Sequence, residues 1–302
     1  MAHIPDLTHL LALDSRTSIS PFKGQHGTIL ISRDHTNSTD FMPSVLLQHF
    51  SRKEPQAPTL LVSLSQNWTN YSASAAKCGF NLRRTQNMGK IDVLDLMSMY
   101  LGALKEGVSD FDPGKLILES VITHLEKHTT ISPSDGTKLT KPTKVLIDDL
   151  SILLTLGSTA SRIYQLFSTI ENLMRDCQLP KGHSSHLIIQ TMAINTTSNT
   201  YDNVPNDLNH LIATLSNHCD ILITIRPLGS GYSTRVDGTI KIFDNRLTIR
   251  SQSSLSIGDT SFQKQATLPL FPETPVEILA KKNFFFKLGD RKVRLMSSAL
   301  LF

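Results

Sequence analysis

A chain of 302 residues with 39% hydrophobic residues is long enough to bury a large core, and its composition favours a folded over a disordered chain. Its net charge is only +4, so any contact with a polyanion depends on a local patch. We find no signal peptide, no apolar run near the roughly 20 residues of a membrane span, and no disulfide framework in three scattered cysteines. These features predict a protein without a membrane partner, located in the cytoplasm, with the nucleus left open.

The first periodic region has the layout of a phosphate-binding loop. Residues 27–32 predict a strand, 33–40 a polar loop, and 41–50 an amphipathic helix. The loop reads RDHTNSTD and lacks the glycines and the lysine that hold phosphate, while Asp34 and Asp40 would repel a triphosphate. The scaffold of a nucleotide site is therefore predicted without its chemistry, and we expect no cofactor.

Strands and helices then alternate along the chain. A strand is predicted at 59–64, a second at 91–96, and a surface loop rich in Ser, Thr and Pro at 129–143. Helices are predicted at 97–107 and 114–128, and a further helix opens within 66–71 and ends near Gly79. This order is typical of a parallel sheet with crossover helices.

The stretch 144–157, KVLIDDLSILLTLG, contains the strongest candidate motif. Its apolar run predicts a strand buried on both faces, and Asp148 and Asp149 follow where open α/β sheets form their ligand crevice. In nucleotide-hydrolysing proteins a carboxylate at this position helps to hold Mg²⁺. The alternative is that Asp148 or Asp149 caps the helix that follows.

The second half continues the alternation and ends in hairpins. A helix is predicted at 160–177, a strand at 186–194 and a helix at 207–216; two strands joined by a glycine-rich turn span 218–243. We expect one domain over 1–302, with a flexible insertion at 251–275 and a C-terminal β-hairpin at 283–296. The predicted fold class is a doubly wound, mostly parallel α/β sheet with antiparallel hairpins at one edge.

This order of parts resembles the RecA-like fold, and more closely the family of sixth subunits of the Elongator complex. The stretches that carry the resemblance are 144–157, 220–243 and 284–296. The resemblance implies a RecA-like subunit that forms a hetero-hexameric ring with the fourth and fifth Elongator subunits. In that family the ring binds tRNA and associates with the larger Elongator subcomplex, which modifies the wobble uridine of anticodons. The chemistry belongs to another subunit, so the resemblance implies no catalytic residue and no metal here.

Four further residues are candidates for contacts made by such a ring. Arg235 lies in a predicted turn and is a candidate arginine finger for a neighbour's nucleotide site. Arg162, Lys181 and His183 are candidate RNA contacts in loops that would face a pore.

Two other functions remain open at this point. The first is an active NTPase of the RecA/KaiC type that uses Asp149 on Mg²⁺; the missing loop lysine argues against it. The second is a stand-alone RNA-binding module built on the basic residues around the phenylalanines of the C-terminal hairpin. The alternation of basic and aromatic residues fits a hairpin with one core-facing side and one solvent-exposed side better than it fits an RNA-binding surface.

Overall fold

The computed structural model describes residues 26–34, 41–53, 56–77, 79–108, 110–131, 138–179, 185–193, 206–228, 237–245, 280–288 and 293–297. Within these ranges the chain forms helices and strands in alternation. The helices are α1 (Phe41–Lys53), α2 (Trp68–Lys77), α3 (Leu82–Asn87), α4 (Leu96–Glu106), α5 (Pro113–Lys127), α6 (Ile152–Thr155), α7 (Ala160–Asp176) and α8 (Asn206–His218). The strands are β1 (His26–Asp34), β2 (Thr59–Ser63), β3 (Ile91–Asp95), β4 (Thr129–Ile131), β5 (Lys138–Thr140), β6 (Lys144–Asp148), β7 (Ser185–Ala193), β8 (Ile221–Pro227), β9 (Gly238–Asp244), β10 (Ala280–Leu288) and β11 (Val293–Ser297).

The main sheet has the strand order β11-β10-β9-β8-β1-β7-β6-β2-β3. The six strands from β8 to β3 in this order are parallel, and β9, β10 and β11 add antiparallel pairings at one end. This arrangement confirms the predicted fold class: a mostly parallel α/β sheet with antiparallel strands at one edge.

The alternation of side chains along each strand divides the core between the two faces of the sheet. On β1, Ile29 and Ile31 pack against the cluster that α1, α2 and α3 cover, whereas Leu30 packs against the cluster under α4 to α8. All five residues of β6 are buried, as predicted for a strand covered on both faces. Because helices cover both faces, the polar ligand crevice can form only where the parallel strands end.

Two segments differ from the predictions. Within the predicted loop 129–143, strands β4 and β5 form a small antiparallel sheet, in which the Thr129 and Thr140 hydroxyls lie 2.9 Å apart. Helix α3 was not predicted because it is polar; the Asn81 side chain caps it by accepting a 2.9 Å hydrogen bond from the Arg84 amide. In both cases the local apolar period is too short to indicate an element.

Two predicted segments, the insertion at 251–275 and the loop at 35–40, lie outside the described residues. The last two strands, β10 and β11, pair antiparallel where the C-terminal hairpin is predicted. No helix in the described part of the chain is both long enough and apolar enough to span a bilayer.

Candidate functional site

Asp148 lies at the end of β6, where the parallel strands terminate, and is 1% exposed. Its Oδ2 accepts a hydrogen bond from the Ser65 hydroxyl and a 3.2 Å bond from the Ser65 amide, just beyond the end of β2. Its Oδ1 accepts a 3.2 Å bond from Nε2 of Gln190 on β7. Burial raises the pKa of Asp148 above its ordinary value, because a charged carboxylate is poorly solvated there. Asp148 therefore joins three neighbouring strands through neutral donors.

Asp149 is the next residue and is held differently. Its backbone has φ of 53°, in the left-handed region that Asp tolerates better than most residues. Oδ2 lies 2.6 Å from Nη2 of Arg33, and Oδ1 accepts a hydrogen bond from the Ser151 hydroxyl. The following amide, that of Leu150, donates to the Gln190 carbonyl at 2.8 Å. Asp149 is 2% exposed and forms a buried ion pair with the end of β1.

Arg33 stands at the position where the predicted phosphate loop begins. The strand order places β7 between β1 and β6, so the Arg33 side chain reaches across β7 to Asp149. Its side chain is 11% exposed. On the α2 side, burial raises the pKa of Tyr71 well above its usual range, and the nearby Asp148 carboxylate raises it further. We call Arg33, Ser65, Asp148, Asp149 and Gln190 the carboxyl-edge network.

The alternative that an aspartate caps the following helix is wrong. The N-cap of α6 is Ser151, no side-chain cap bond is present, and both carboxylates accept bonds from other groups instead. At Asp149 the backbone is left-handed, and the carboxylate binds Arg33 of β1 through Oδ2 and the Ser151 hydroxyl through Oδ1 instead of a helical amide.

The structure brings together some of the predicted site residues and not others. Asp148 and Asp149 share one network, whereas Arg162 is exposed in the first turn of α7, where its amide donates a 3.3 Å hydrogen bond to the Thr159 hydroxyl. Lys181, His183 and Arg235 lie outside the described residues.

Sequence reasoning missed Arg33, Ser65 and Gln190. The available signal was the position of Arg33 and Ser65, which lie at or just beyond the end of an apolar run that predicts a parallel strand; Gln190 lies within β7, beyond the apolar run 187–189. The carboxyl ends of parallel strands meet at one edge of a sheet, so polar residues there are candidates for one shared network. Which of them pair could not be read from the sequence, because the strand order was unknown.

Residues 10–259 match the family model described as elongation complex protein 6. A curated relative, the Elongator complex protein 6 of Danio rerio, is 23% identical over 239 residues, which cover 76% of this chain and 85% of that protein. A crystal structure of a KaiC-like protein from Pyrococcus horikoshii OT3 superimposes with a TM-score of 0.48 and 12% identity, covering 89% of each chain.

Proposed function

This chain belongs to the elongation complex protein 6 family, and from that premise we propose that it is a non-catalytic, RecA-like subunit of the Elongator complex. In this proposal it forms a hetero-hexameric ring with the fourth and fifth Elongator subunits. The ring binds tRNA and supports modification of the wobble uridine by the larger Elongator subcomplex. The chain itself performs no chemistry and serves as a structural part of the ring.

The observation that carries the proposal is that protein groups already occupy the carboxylate oxygens of Asp148 and Asp149. Both oxygens of Asp148 and both oxygens of Asp149 accept hydrogen bonds from protein groups. A strand-borne aspartate that holds Mg²⁺ must offer an oxygen to the ion or to its water. Here the ion would have to displace the Arg33 guanidinium from a buried pair, or enter a site that is 1–2% exposed. Both routes cost desolvation energy that the network does not return.

The Arg33–Asp149 pair also opposes the alternative function of an active NTPase. In an active site of that class, cations at this edge are directed toward the phosphates and the aspartate toward the metal. In this chain the cation and the aspartate are joined to each other at 2.6 Å. The sequence of the loop at 33–40, with neither glycine nor lysine, points in the same direction.

An exposed apolar surface supports the role of a subunit in an assembly. Leu101 and Leu104 on α4, and Val108 just beyond it, are each about half exposed, at 49%, 56% and 49%. Residues three apart share a helix face, so the two leucines lie on one side of α4. A contiguous apolar patch is the kind of surface that a subunit interface buries. We therefore propose that the fourth or fifth Elongator subunit packs on this face of α4.

Co-expression with these two subunits, followed by size-exclusion chromatography with light scattering, tests the assembly. We expect a stable hetero-hexamer for the unmodified chain. Leu104→Glu should weaken assembly at least tenfold, since it places a charge in an interface core. Lys105→Glu, which introduces the same side chain one position away on the exposed side of α4, is the matched control. A chain that remains monomeric with both subunits present would contradict the proposal.

Contact with tRNA is tested on the assembled ring. Arg162→Ala should reduce tRNA affinity and lower the slope of log affinity against log salt by roughly 0.7 to 0.9, the contribution of one neutralised phosphate. Lys181→Ala and His183→Ala extend the test to the other two candidate contacts. An affinity that does not change with salt would exclude phosphate contacts by these residues.

The arginine-finger role of Arg235 is a separate element of the proposal. We expect Arg235→Ala to lower ATP turnover by the ring without changing its assembly, because the guanidinium would stabilise charge at a neighbour's site. Unchanged turnover would remove this element and leave the rest of the proposal standing.

A further inference from the structure

A second cluster of titratable side chains lies at the edge strand β3. Asp92 is the second residue of β3, His124 lies in the last turn of α5, and His128 follows the end of that helix. Nδ1 of His124 lies 2.7 Å from Oδ2 of Asp92, and Nε2 of His128 lies 3.7 Å from the same oxygen. One ligand atom from each of the three residues lies within 4.8 Å of the others.

This cluster is separate from the carboxyl-edge network. In the register of the sheet, Asp92 pairs with Leu60, whereas Ser63 pairs with both Asp95 and Asp148. Asp92 therefore lies three residues nearer the amino end of the parallel strands, on a strand that does not adjoin β6. Metal binding by this cluster would not depend on the role of the chain in a ring.

The histidines have acceptor or donor capacity that the described residues do not use. Nε2 of His124 and Nε2 of His128 are both buried, and neither has a hydrogen-bond partner in the described part of the chain. A buried polar atom without a partner is rare in folded proteins and calls for an explanation. An ion bound beside His128 Nε2 would supply one.

We propose that Asp92, His124 and His128 form a binding site for a divalent transition metal ion, with Zn²⁺ as the best fit. The ligand atoms are Oδ2 of Asp92, Nδ1 of His124 and Nε2 of His128, and the fourth position is open to water. Two imidazoles and one carboxylate are a ligand set that zinc uses with an open fourth position. Tetrahedral ligands about 2.1 Å from zinc lie roughly 3.4 Å from one another, and the separations of 2.7 and 3.7 Å bracket that value.

Lys127 sets the strength of this site. Its Nζ lies 2.6 Å from Oδ1 of Asp92, so it competes for the carboxylate but leaves Oδ2 to the metal. Its side chain is 51% exposed and can withdraw into solvent when the ion binds. The ammonium repels a divalent cation, and removing its charge should therefore strengthen binding.

A bound ion would join the C-terminal end of α5 to the edge strand of the sheet. The sequence signal is the spacing His-x-x-x-His at 124–128, which places both rings on one side of a helix end; the ring centroids lie 4.8 Å apart. The third ligand, Asp92, is 32 residues away in the sequence, so only the fold brings it to the pair.

The test is equilibrium dialysis of the full-length chain against Zn²⁺ with a competing chelator, read by metal analysis. We expect one Zn²⁺ per chain, a loss of affinity of at least tenfold in His128→Ala, and a several-fold gain in Lys127→Gln. His210→Ala, which removes an exposed histidine of α8 away from the cluster, is the matched control and should bind as the unmodified chain does.

Co²⁺ in place of Zn²⁺ provides a second readout. We expect a visible absorption band typical of tetrahedral nitrogen and oxygen ligands, absent in His128→Ala and present in His210→Ala. Stoichiometry well below one, equal affinity in His128→Ala and His210→Ala, or no gain in Lys127→Gln would overturn the site. His128 lies at the helix end rather than in the core, so its variant is expected to fold and the test does not depend on replacing buried His124.

Discussion

Asp149 at the end of β6 and Asp92 near the start of β3 are both ion-paired with a basic side chain, yet their surroundings differ. Asp149 is 2% exposed, and both of its oxygens are occupied by Arg33 and Ser151. Asp92 is 29% exposed, and its partner Lys127 is a half-exposed side chain that can leave. The first carboxylate lies in the interior of the sheet between strands, and the second lies on the edge strand.

In our proposal, access to solvent, more than the presence of carboxylates, separates the structural network at the carboxyl edge from the metal site at β3. At the carboxyl edge, protein groups donate to each carboxylate oxygen of Asp148 and Asp149, although Oε1 of Gln190 has no hydrogen-bond partner among the described residues. At β3, Nε2 of His124 and Nε2 of His128 are buried without a hydrogen-bond partner among the described residues, and Nε2 of His128 lies 3.7 Å from Oδ2 of Asp92. We therefore infer that the aspartates that resemble a nucleotide motif, Asp148 and Asp149, are closed to a metal ion. The cluster at β3, which no nucleotide motif predicts, is the one that we propose to be accessible to an ion.

Replacing Arg33 should have the largest effect on stability, because Arg33 is the cation that is paired with the buried Asp149 carboxylate. Arg33→Met leaves the Asp149 carboxylate buried without its cation, and we expect a loss of about 3–5 kcal/mol in the free energy of unfolding. Urea unfolding at pH 7 measures it.

The double variant Arg33→Met with Asp149→Asn is the control for this prediction. It removes both charges and keeps a residue that tolerates the left-handed backbone at position 149. The double variant should therefore regain most of the unfolding free energy that Arg33→Met loses. A loss of unfolding free energy below about 1 kcal/mol in the single variant would mean that water reaches the Asp149 carboxylate. The carboxyl-edge network would then be accessible to solvent, contrary to our description.

Acidification should destabilise the fold through the histidines of the cluster at β3. The pKa of His124 falls from 6.5 to about 4 on folding, so the unfolded chain takes up the proton first as the pH decreases. The contribution of neutral His124 to the unfolding free energy is therefore fully present above about pH 6.5. It decreases toward pH 4 by roughly 1.4 kcal/mol for each unit of pKa shift, or about 3 kcal/mol in total. Burial lowers the pKa of His128 as well, which adds to the same trend.

Unfolding in urea with EDTA, repeated between pH 4 and 7, measures this dependence on the metal-free chain. His124→Gln should flatten the curve over this interval, whereas the control His210→Gln should retain it. An unchanged slope in His124→Gln would show that other groups bind the protons.

Removal of Asp92 should have a smaller effect, because its surroundings are partly solvated. Asp92→Ala leaves the buried Nδ1 of His124 without its 2.7 Å partner, and we expect a loss of about 1–3 kcal/mol in EDTA. Faster hydrogen exchange should be confined to β3 and the end of α5. Glu126→Ala, an exposed position on the same helix turn, is the control and should change stability by less than about 0.5 kcal/mol.

Asp148→Asn should have the smallest effect and the opposite dependence on pH. Burial raises the pKa of Asp148 in the folded chain, so the folded state binds the proton more tightly and ionisation at neutral pH opposes folding. An amide avoids that cost, and the Ser65 hydroxyl and the Gln190 amide can turn to meet it. We expect a change within about 1 kcal/mol at pH 7. The stability of the variant relative to the unmodified chain should be lower at pH 4 than at pH 7. A large loss of unfolding free energy at both pH values would show that the hydrogen bonds of the Asp148 carboxylate contribute more than the cost of its charge.

Much of the fold was predictable because its strands and helices have strong local periods. The buried run of β6 and the helical spacing of α7 each indicate their element without reference to any neighbour. Short elements were missed for the same reason: β4 and β5 have three residues each, and α3 has six. Their stability comes from contacts such as the 2.9 Å hydrogen bond between the Thr140 amide and the Gln178 carbonyl.

By itself the sequence determined the mostly parallel α/β class, the carboxylates after β6 and the loop at 33–40 that lacks phosphate-binding residues. The tertiary structure alone decided the partners of those carboxylates. Strand order placed Arg33 beside Asp149 across 116 positions of sequence, and the packing of α5 on β3 placed His124 beside Asp92. Local periodicity specifies elements because it acts between near neighbours, whereas charge pairing and coordination depend on distances that only the assembled sheet fixes.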